Sequence, residues 1–373
     1  MTKGESVNYR EDLDTPCLVV HKSALQKNID EMAEYARQHG ISMRPHQKTH
    51  KTAEIARMQM DAGAIGVTCA KLGEAEALVD SGAVDDVFLA YQIVGPRKIS
   101  RLLALMDRAR VSAAVDGVEG AQALSDACVA AGKTLDVIIE MNTGLNRAGI
   151  LPGEETERLA EKVAAMPGLN VKGIMTHEGH VAKAINQDEL DSYGGDAGKA
   201  MVDTAKRLRD KGIPVDVISV GSTPGSFSTT KIDGITEMRP GTYVFYDNAI
   251  FRFGRIGPER CALRILATVV SRPAPDRAIV DAGSKTLAMD PPPPDRKGHG
   301  YVVEEPDAVI ARVSEEHGVI EFPSGDSSLA VGDVVEIIPN HVCPTVNLQN
   351  ELFVVSDDGS IETWNIIARG KVR

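Results

Sequence analysis

The sequence predicts an α/β protein, a (β/α)8 TIM-type barrel followed by a mostly antiparallel β domain. Three observations lead there. Short apolar runs alternate with helical patterns up to about residue 245, as βαβ units on a parallel sheet require. Eight such runs within about 230 residues match the strand count of a closed barrel. Beyond Tyr243 the helical patterns cease, and strand-like runs succeed one another across turn clusters. A doubly wound open sheet is the alternative for the first part.

The elements follow in order. Cys17-Leu18-Val19-Val20 reads as the first strand, and a helix starts near Ser23, a suitable N-cap. Residues 41–48 form the second strand and Ile65-Gly66-Val67-Thr68-Cys69 the third, with a helix over 72–81. The fourth strand covers 86–90, followed by a helix over 96–109 with Pro96 in its first turn. Strands at 111–115, 135–141, 171–175 and 215–220 complete the eight, with helices over 118–131, 154–165 and 187–211 between them. Later strands fall at 263–271, 277–280, 308–313, 334–339, 352–355 and 361–365. This places a barrel over 18–254 and a β domain over 255–373, with residues 1–17 packed against the latter. The run from Asp290 through Pro291, Pro292, Pro293 and Pro294 to Gly300 is a stiff surface loop. It reads as a passive spacer, the other reading being an arm toward a neighbouring subunit.

Composition narrows the function classes. A chain of 373 residues exceeds one ordinary domain, which suits a barrel plus an appendage. The net charge of -12, from 41 basic and 53 acidic side chains, argues against a general nucleic-acid binder. It leaves room for a local basic pocket that takes an anionic cofactor. No run of about 18 apolar residues occurs and the first residues are polar, so neither a membrane span nor a signal peptide is expected. Cys17, Cys69, Cys128, Cys261 and Cys343 are odd in number and dispersed, the usage of a reducing cytoplasm.

In a barrel, chemistry gathers at the C-terminal ends of the strands. Lys48 ends the second strand inside Arg44-Pro45-His46-Gln47-Lys48-Thr49-His50-Lys51. Crowded cations and burial both disfavour an ammonium, and a neutral lysine amine is what Schiff-base chemistry requires. A strand period of two puts His46, Lys48 and His50 on one face; a solvated basic strand end is the plainer alternative. The sixth strand runs into Asn142 through Arg147, and the seventh into His177-Glu178-Gly179-His180. The eighth runs into Gly221-Ser222-Thr223-Pro224-Gly225-Ser226, a small-residue turn of the kind that holds a phosphate. A phosphate site together with a Schiff-base lysine points to pyridoxal 5'-phosphate, an electron sink for a carbanion at Cα. Late in the chain, His341 and Cys343 at i and i+2 in a strand-like setting would share a face and can share a metal ion. As a bare motif the spacing is mostly accidental, and the metal reading rests on the resemblance given below. Imidazole plus thiolate suits Zn2+ more than Mn2+ or Mg2+, and leaves positions open for water and substrate.

Asp14-Thr15-Pro16, the stretch around Lys48, Gly221-Ser222-Thr223-Pro224 and His341-Val342-Cys343-Pro344-Thr345 together resemble one family. It is the D-threonine aldolase and D-serine dehydratase family, with a pyridoxal-phosphate barrel of the alanine-racemase type (fold-type III). The similarity spans nearly the whole chain. It implies a Schiff base to Lys48 with His46 and His177 beside the cofactor. It implies the phosphate near Gly221, Ser222 and Thr223, Tyr243 closing over it, and Arg147 near the phenolic oxygen. It also implies a homodimer with active sites near the subunit interface. Cys343, the Gly-Ser-Thr-Pro turn and His177 resemble the dehydratase branch. Residues 271–277, Pro344-Thr345-Val346-Asn347-Leu348 and Ala368-Arg369-Gly370 resemble the aldolase branch. The expected activity is a lyase on D-3-hydroxy-α-amino acids, retro-aldol cleavage first. The alternative is β-elimination of D-serine or D-threo-3-hydroxyaspartate to a 2-oxo acid and ammonia. A racemase or a non-catalytic carrier of the cofactor stands behind both, because neither needs the metal pair. Retro-aldol cleavage needs a base at the hydroxyl, with His177 and His180 as candidates.

Overall fold

The computed structural model describes residues 8–373, so the packing expected of residues 1–7 lies outside the described residues. One sheet has eight parallel strands, in the order Ser42–Met43, Glu237–Met238, Val217–Val220, Leu169–Thr176, Leu135–Met141, Arg110–Val115, Asp86–Gln92 and Val67–Cys69. Its two outer strands meet. The Ile65 amide donates to the Met43 carbonyl (2.9 Å), Thr68 to Pro45 (2.9 Å) and Gln47 to Thr68 (2.8 Å). The sheet is thereby rolled onto itself as a barrel. Val137, Ile139 and Ile174 along it are fully buried, as a sheet covered on both faces demands.

Two strands differ from expectation. Cys17–His21 is not the first barrel strand. It lies in the other sheet, antiparallel to Leu263–Ala274 on one side and parallel to Glu351–Val355 on the other. Its place in the barrel is taken by Glu237–Met238, paired with Ser42–Met43 and Val217–Val220. Two residues are too few to show a hydrophobic period, so this strand left no mark in the sequence pattern. Its buried carboxylate is matched by partners instead: Glu237 accepts from Arg44 Nε (2.9 Å) and the Ser219 hydroxyl (2.5 Å). Arg44 also pairs with Asp86 at 2.5 Å. A charge inside a barrel survives only with such pairing.

The chain forms two compact units. One comprises residues up to Asp30, 49–52 and 242–369; the other comprises 31–48, 53–241 and 370–373. The first holds the nine-stranded, mostly antiparallel sheet. Its core includes Cys17, Val19, Leu266 and Val355, with Tyr9 and Leu13 packed on them. The Tyr9 hydroxyl donates to Glu336 (2.5 Å), whose carboxylate also pairs with Arg264. All five cysteines are free thiols. Among the described residues no helix is long and apolar enough to cross a membrane.

Candidate active site

The strand carrying the lysine stops earlier than its sequence suggests. Regular pairing ends at the His46 bridge to Thr68, and the chain turns over residues 47–50. His46 and Lys48 are both half-buried, and the Lys48 amide donates to His46 Nδ1 (3.3 Å). The period of two does not extend to His50. That ring is buried, and its Nδ1 accepts from the Thr52 amide (3.2 Å).

Around Lys48 the barrel unit gathers two imidazoles kept neutral. Burial pushes the pKa of His46 well down, and the charges of Lys48, Arg239 and Arg147 push the same way. Burial and Lys48 likewise lower His177 to about 3, against the opposing hydrogen bond to the Gly221 carbonyl. That bond, from Nδ1 to the Gly221 oxygen, is 2.5 Å long and leaves Nε2 as the free nitrogen of the ring. Arg239, which sequence reasoning did not single out, is fully enclosed, with its guanidinium on the Thr176 carbonyl (2.6 Å) and the Ser219 hydroxyl.

The linkage sign for His177 is explicit. The unfolded imidazole takes its proton near pH 6.5, the folded one near 3, so between these values the unfolded chain binds more protons. Stability from this group is therefore full above pH 6.5 and is lost as pH falls toward 3, by up to about 1.4 kcal/mol per pH unit. Urea titrations of the cofactor-free protein at pH 4 and pH 6 should show a smaller stability difference for His177→Gln than for wild type. Equal differences would contradict a neutral buried His177.

The Gly221 turn is more committed than a free phosphate nest. Glu178, buried and missed in the sequence, accepts from the Gly221 amide (3.0 Å) and the Ser222 hydroxyl (2.8 Å). Burial raises its pKa, with those hydrogen bonds opposing. The Ser222 hydroxyl in turn accepts from the Gly225 amide (3.1 Å), so the turn is tied down at both ends. Ser222 and Thr223 are buried beside it. Arg147 is exposed on the loop after strand Leu135–Met141, with Glu140 at 3.9 Å. Asn142 shapes that loop through its side-chain oxygen, which accepts from the Gly144 and Asn146 amides. Gly144 has φ +138°, and a Cβ there would stand 3.0 Å from His180 Nε2. A Cβ on Gly179 would stand 2.9 Å from His177 Nε2. The glycines thus leave both Nε2 edges uncovered. His180 Nδ1 is buried with no hydrogen-bond partner, and burial lowers its pKa.

Tyr243 belongs to the other unit, buried in the short helix Thr242–Val244. His341 and Cys343 belong to that unit too, but not on a strand. His341 caps the helix Val342–Leu348 and Cys343 lies in its first turn, where Pro344 is tolerated because the first-turn N–H groups have no helical partner. Their side chains still interact. Burial pushes the His341 pKa down, yet Cys343, Asp290 and Asp247 carry it well above its ordinary value. Cys343 Sγ lies 3.3 Å from the hydroxyl of Thr49, the residue that follows Lys48. Among the described residues no third His, Cys, Asp or Glu completes a metal cluster with them. Asp247, also missed, is buried; Oδ2 accepts from the Val342 amide (3.2 Å), while Oδ1 has no partner. Burial raises its pKa to about 6, with His341 opposing. The imidazole and the thiol form a two-residue donor set that suits a divalent cation with its remaining positions left to water and substrate. The half-buried Lys48, the free edge of His177 and the Ser222–Thr223 turn fit a phosphorylated pyridine aldehyde.

Comparisons with known proteins give the family and the fold. The family model for the alanine racemase N-terminal domain matches residues 20–249, and that for a putative serine dehydratase domain matches 262–355. A D-threonine aldolase of Arthrobacter sp is 34% identical over 361 residues, covering 96% of this chain and 93% of that protein. The crystal structure of D-threonine aldolase from Filomicrobium marinum superposes with a TM-score of 0.88 at 33% identity, covering 97% of each chain. A cysteine variant of D-threo-3-hydroxyaspartate dehydratase in the metal-free form superposes with a TM-score of 0.89 at 30% identity, covering 95% of this chain and 98% of that one. Fold and site together define a pyridoxal-phosphate-dependent lyase built on an alanine-racemase-type barrel. The chain belongs to the D-threonine aldolase and D-serine dehydratase family.

Proposed function

We propose that the chain cleaves D-3-hydroxy-α-amino acids by a retro-aldol reaction to glycine and an aldehyde, using pyridoxal phosphate and a divalent metal ion. The observation that carries this reading is His180, beyond strand Leu169–Thr176, whose pKa burial lowers and whose Nε2 edge Gly144 leaves uncovered. Retro-aldol cleavage needs a base for the β-hydroxyl proton in addition to the cofactor lysine; dehydration, in which Lys48 takes the Cα proton, does not. Burial and the Lys48 charge push the His177 pKa down, and its Nδ1 is engaged at the Gly221 carbonyl. Its fixed Nδ1 suits it to orienting the cofactor ring.

Pyridoxal phosphate, held by Lys48, supplies the sink for the electron pair left on Cα when a bond to that carbon breaks. A cation held by His341 and Cys343 supplies a Lewis acid for the substrate hydroxyl. Lys48 binds the cofactor covalently, Ser222 and Thr223 hold its phosphate, and His180 takes the hydroxyl proton on Nε2, the nitrogen that Gly144 leaves uncovered. Thr49, the residue after Lys48 in the chain, touches Cys343.

Dehydration is the second reading, favoured by the Cys343 thiol and by the Gly221-Ser222-Thr223-Pro224 turn. Incubating the holoenzyme with D-threonine separates the two. Acetaldehyde plus glycine is the expected result; 2-oxobutyrate plus ammonia would replace the aldolase reading with the dehydratase one.

A further inference from the structure

Asp290 opens the tetraproline run, which read from sequence as a passive spacer. It is not slack. Asn340, the residue before His341, is buried, and its Nδ2 donates to the carbonyls of Asp290 (3.2 Å) and Gly298 (3.0 Å). Its Oδ1 accepts from Asn248 (2.9 Å). One side chain therefore clamps both ends of the loop beside the candidate metal ligand. Between the clamps, four prolines fix φ and remove most of the loop's freedom. Within this frame the Asp290 carboxylate lies 2.9 Å from His341 Nδ1.

An exposed carboxylate–imidazole pair alone would count for little. Here the backbone on both sides of the pair is fixed, and Nδ1–H is taken by Asp290, so only Nε2 remains for an ion. Metal-ligating histidines commonly donate their second N–H to a carboxylate, which sets the tautomer and raises the basicity of the ligating nitrogen. We propose that Asp290 is a positioning residue for His341, and that the proline loop exists to hold it there. This rests on the reading of His341 and Cys343 as the metal pair.

The test is the affinity of the cofactor-loaded protein for Zn2+, measured by competition with a chromophoric chelator. Asp290→Asn and Asp290→Ala should weaken Zn2+ binding about 10- to 100-fold, and Asp290→Glu should recover part of the loss. The thermal midpoint of each metal-free variant should match that of metal-free wild type. Wild-type affinity in Asp290→Asn, alongside lost binding in His341→Ala, would overturn the role of Asp290 and leave the metal pair standing. Absence of Zn2+ binding by the wild type would remove both. A fall in the metal-free midpoint that parallels the lost affinity would also overturn the proposal, since loop anchoring would then account for the effect.

Discussion

Replacing Lys48 by alanine is expected to lower turnover of any D-3-hydroxy amino acid by at least about 10^4-fold, the scale of removing a covalent catalyst. The same variant should lose absorbance at the visible edge, and borohydride should no longer fix the cofactor to the chain. The effect is large because no other amine can substitute from its position. Lys48 leaves the strand just after the His46 bridge, its own amide anchored on His46 Nδ1. Lys51, three residues on, carries its ammonium toward the Ala368 carbonyl (3.4 Å), both residues lying in the unit with the antiparallel sheet. A Lys48→Ala protein that kept its colour and a covalently attached cofactor would refute the assignment. Lys48→Arg is a sharper control, because it keeps the charge but cannot form the covalent link.

The second large effect is expected at the metal pair. His341→Ala and Cys343→Ala should each lower activity about 10^3-fold, the equivalent of several kcal/mol of Lewis-acid stabilisation. Dialysis against a chelator should reproduce that loss in the wild type, and added Zn2+ should restore wild type but neither variant. His341→Ala also removes the imidazole charge that opposes the raised pKa of Asp247. Its carboxylate is buried, one oxygen has no partner, and burial already lifts its pKa to about 6. Activity that withstands exhaustive chelation would defeat the assignment, and activity retained in both variants would do so independently.

How much of this was legible in the sequence depends on the length scale of each signal. Runs such as Leu135–Met141 and Leu169–Thr176 are long enough to declare a buried parallel sheet, and they fixed the fold class. Cys17-Leu18-Val19-Val20 declared a buried strand equally well, but burial says nothing about which sheet does the burying. Glu237–Met238 was illegible, being two residues long and held by Arg44 and Ser219 rather than by apolar packing. At the site, Lys48, His177 and the Gly221 turn were visible because they follow strand ends. Glu178 sits among them in the sequence, yet its grip on the Gly221 amide is a contact across 43 positions. Asp290 lies 51 positions before His341, hidden at the head of a run whose prolines drew the eye. The reading of His341 and Cys343 as a pair rested on the family resemblance, and they stand at a helix start where the strand spacing does not apply.

The position of Cys17–His21 has a consequence for how the protein must be made. That strand is wedged between Leu263–Ala274 and Glu351–Val355, partners that follow it by hundreds of residues in the sequence. A gene fragment encoding only the C-terminal part would lack the middle plank of its own sheet and present two raw edges to solvent, an invitation to aggregate. A circularly permuted gene that begins just ahead of Leu263 would place Cys17–His21 shortly after Glu351–Val355 and bring these partners closer in time.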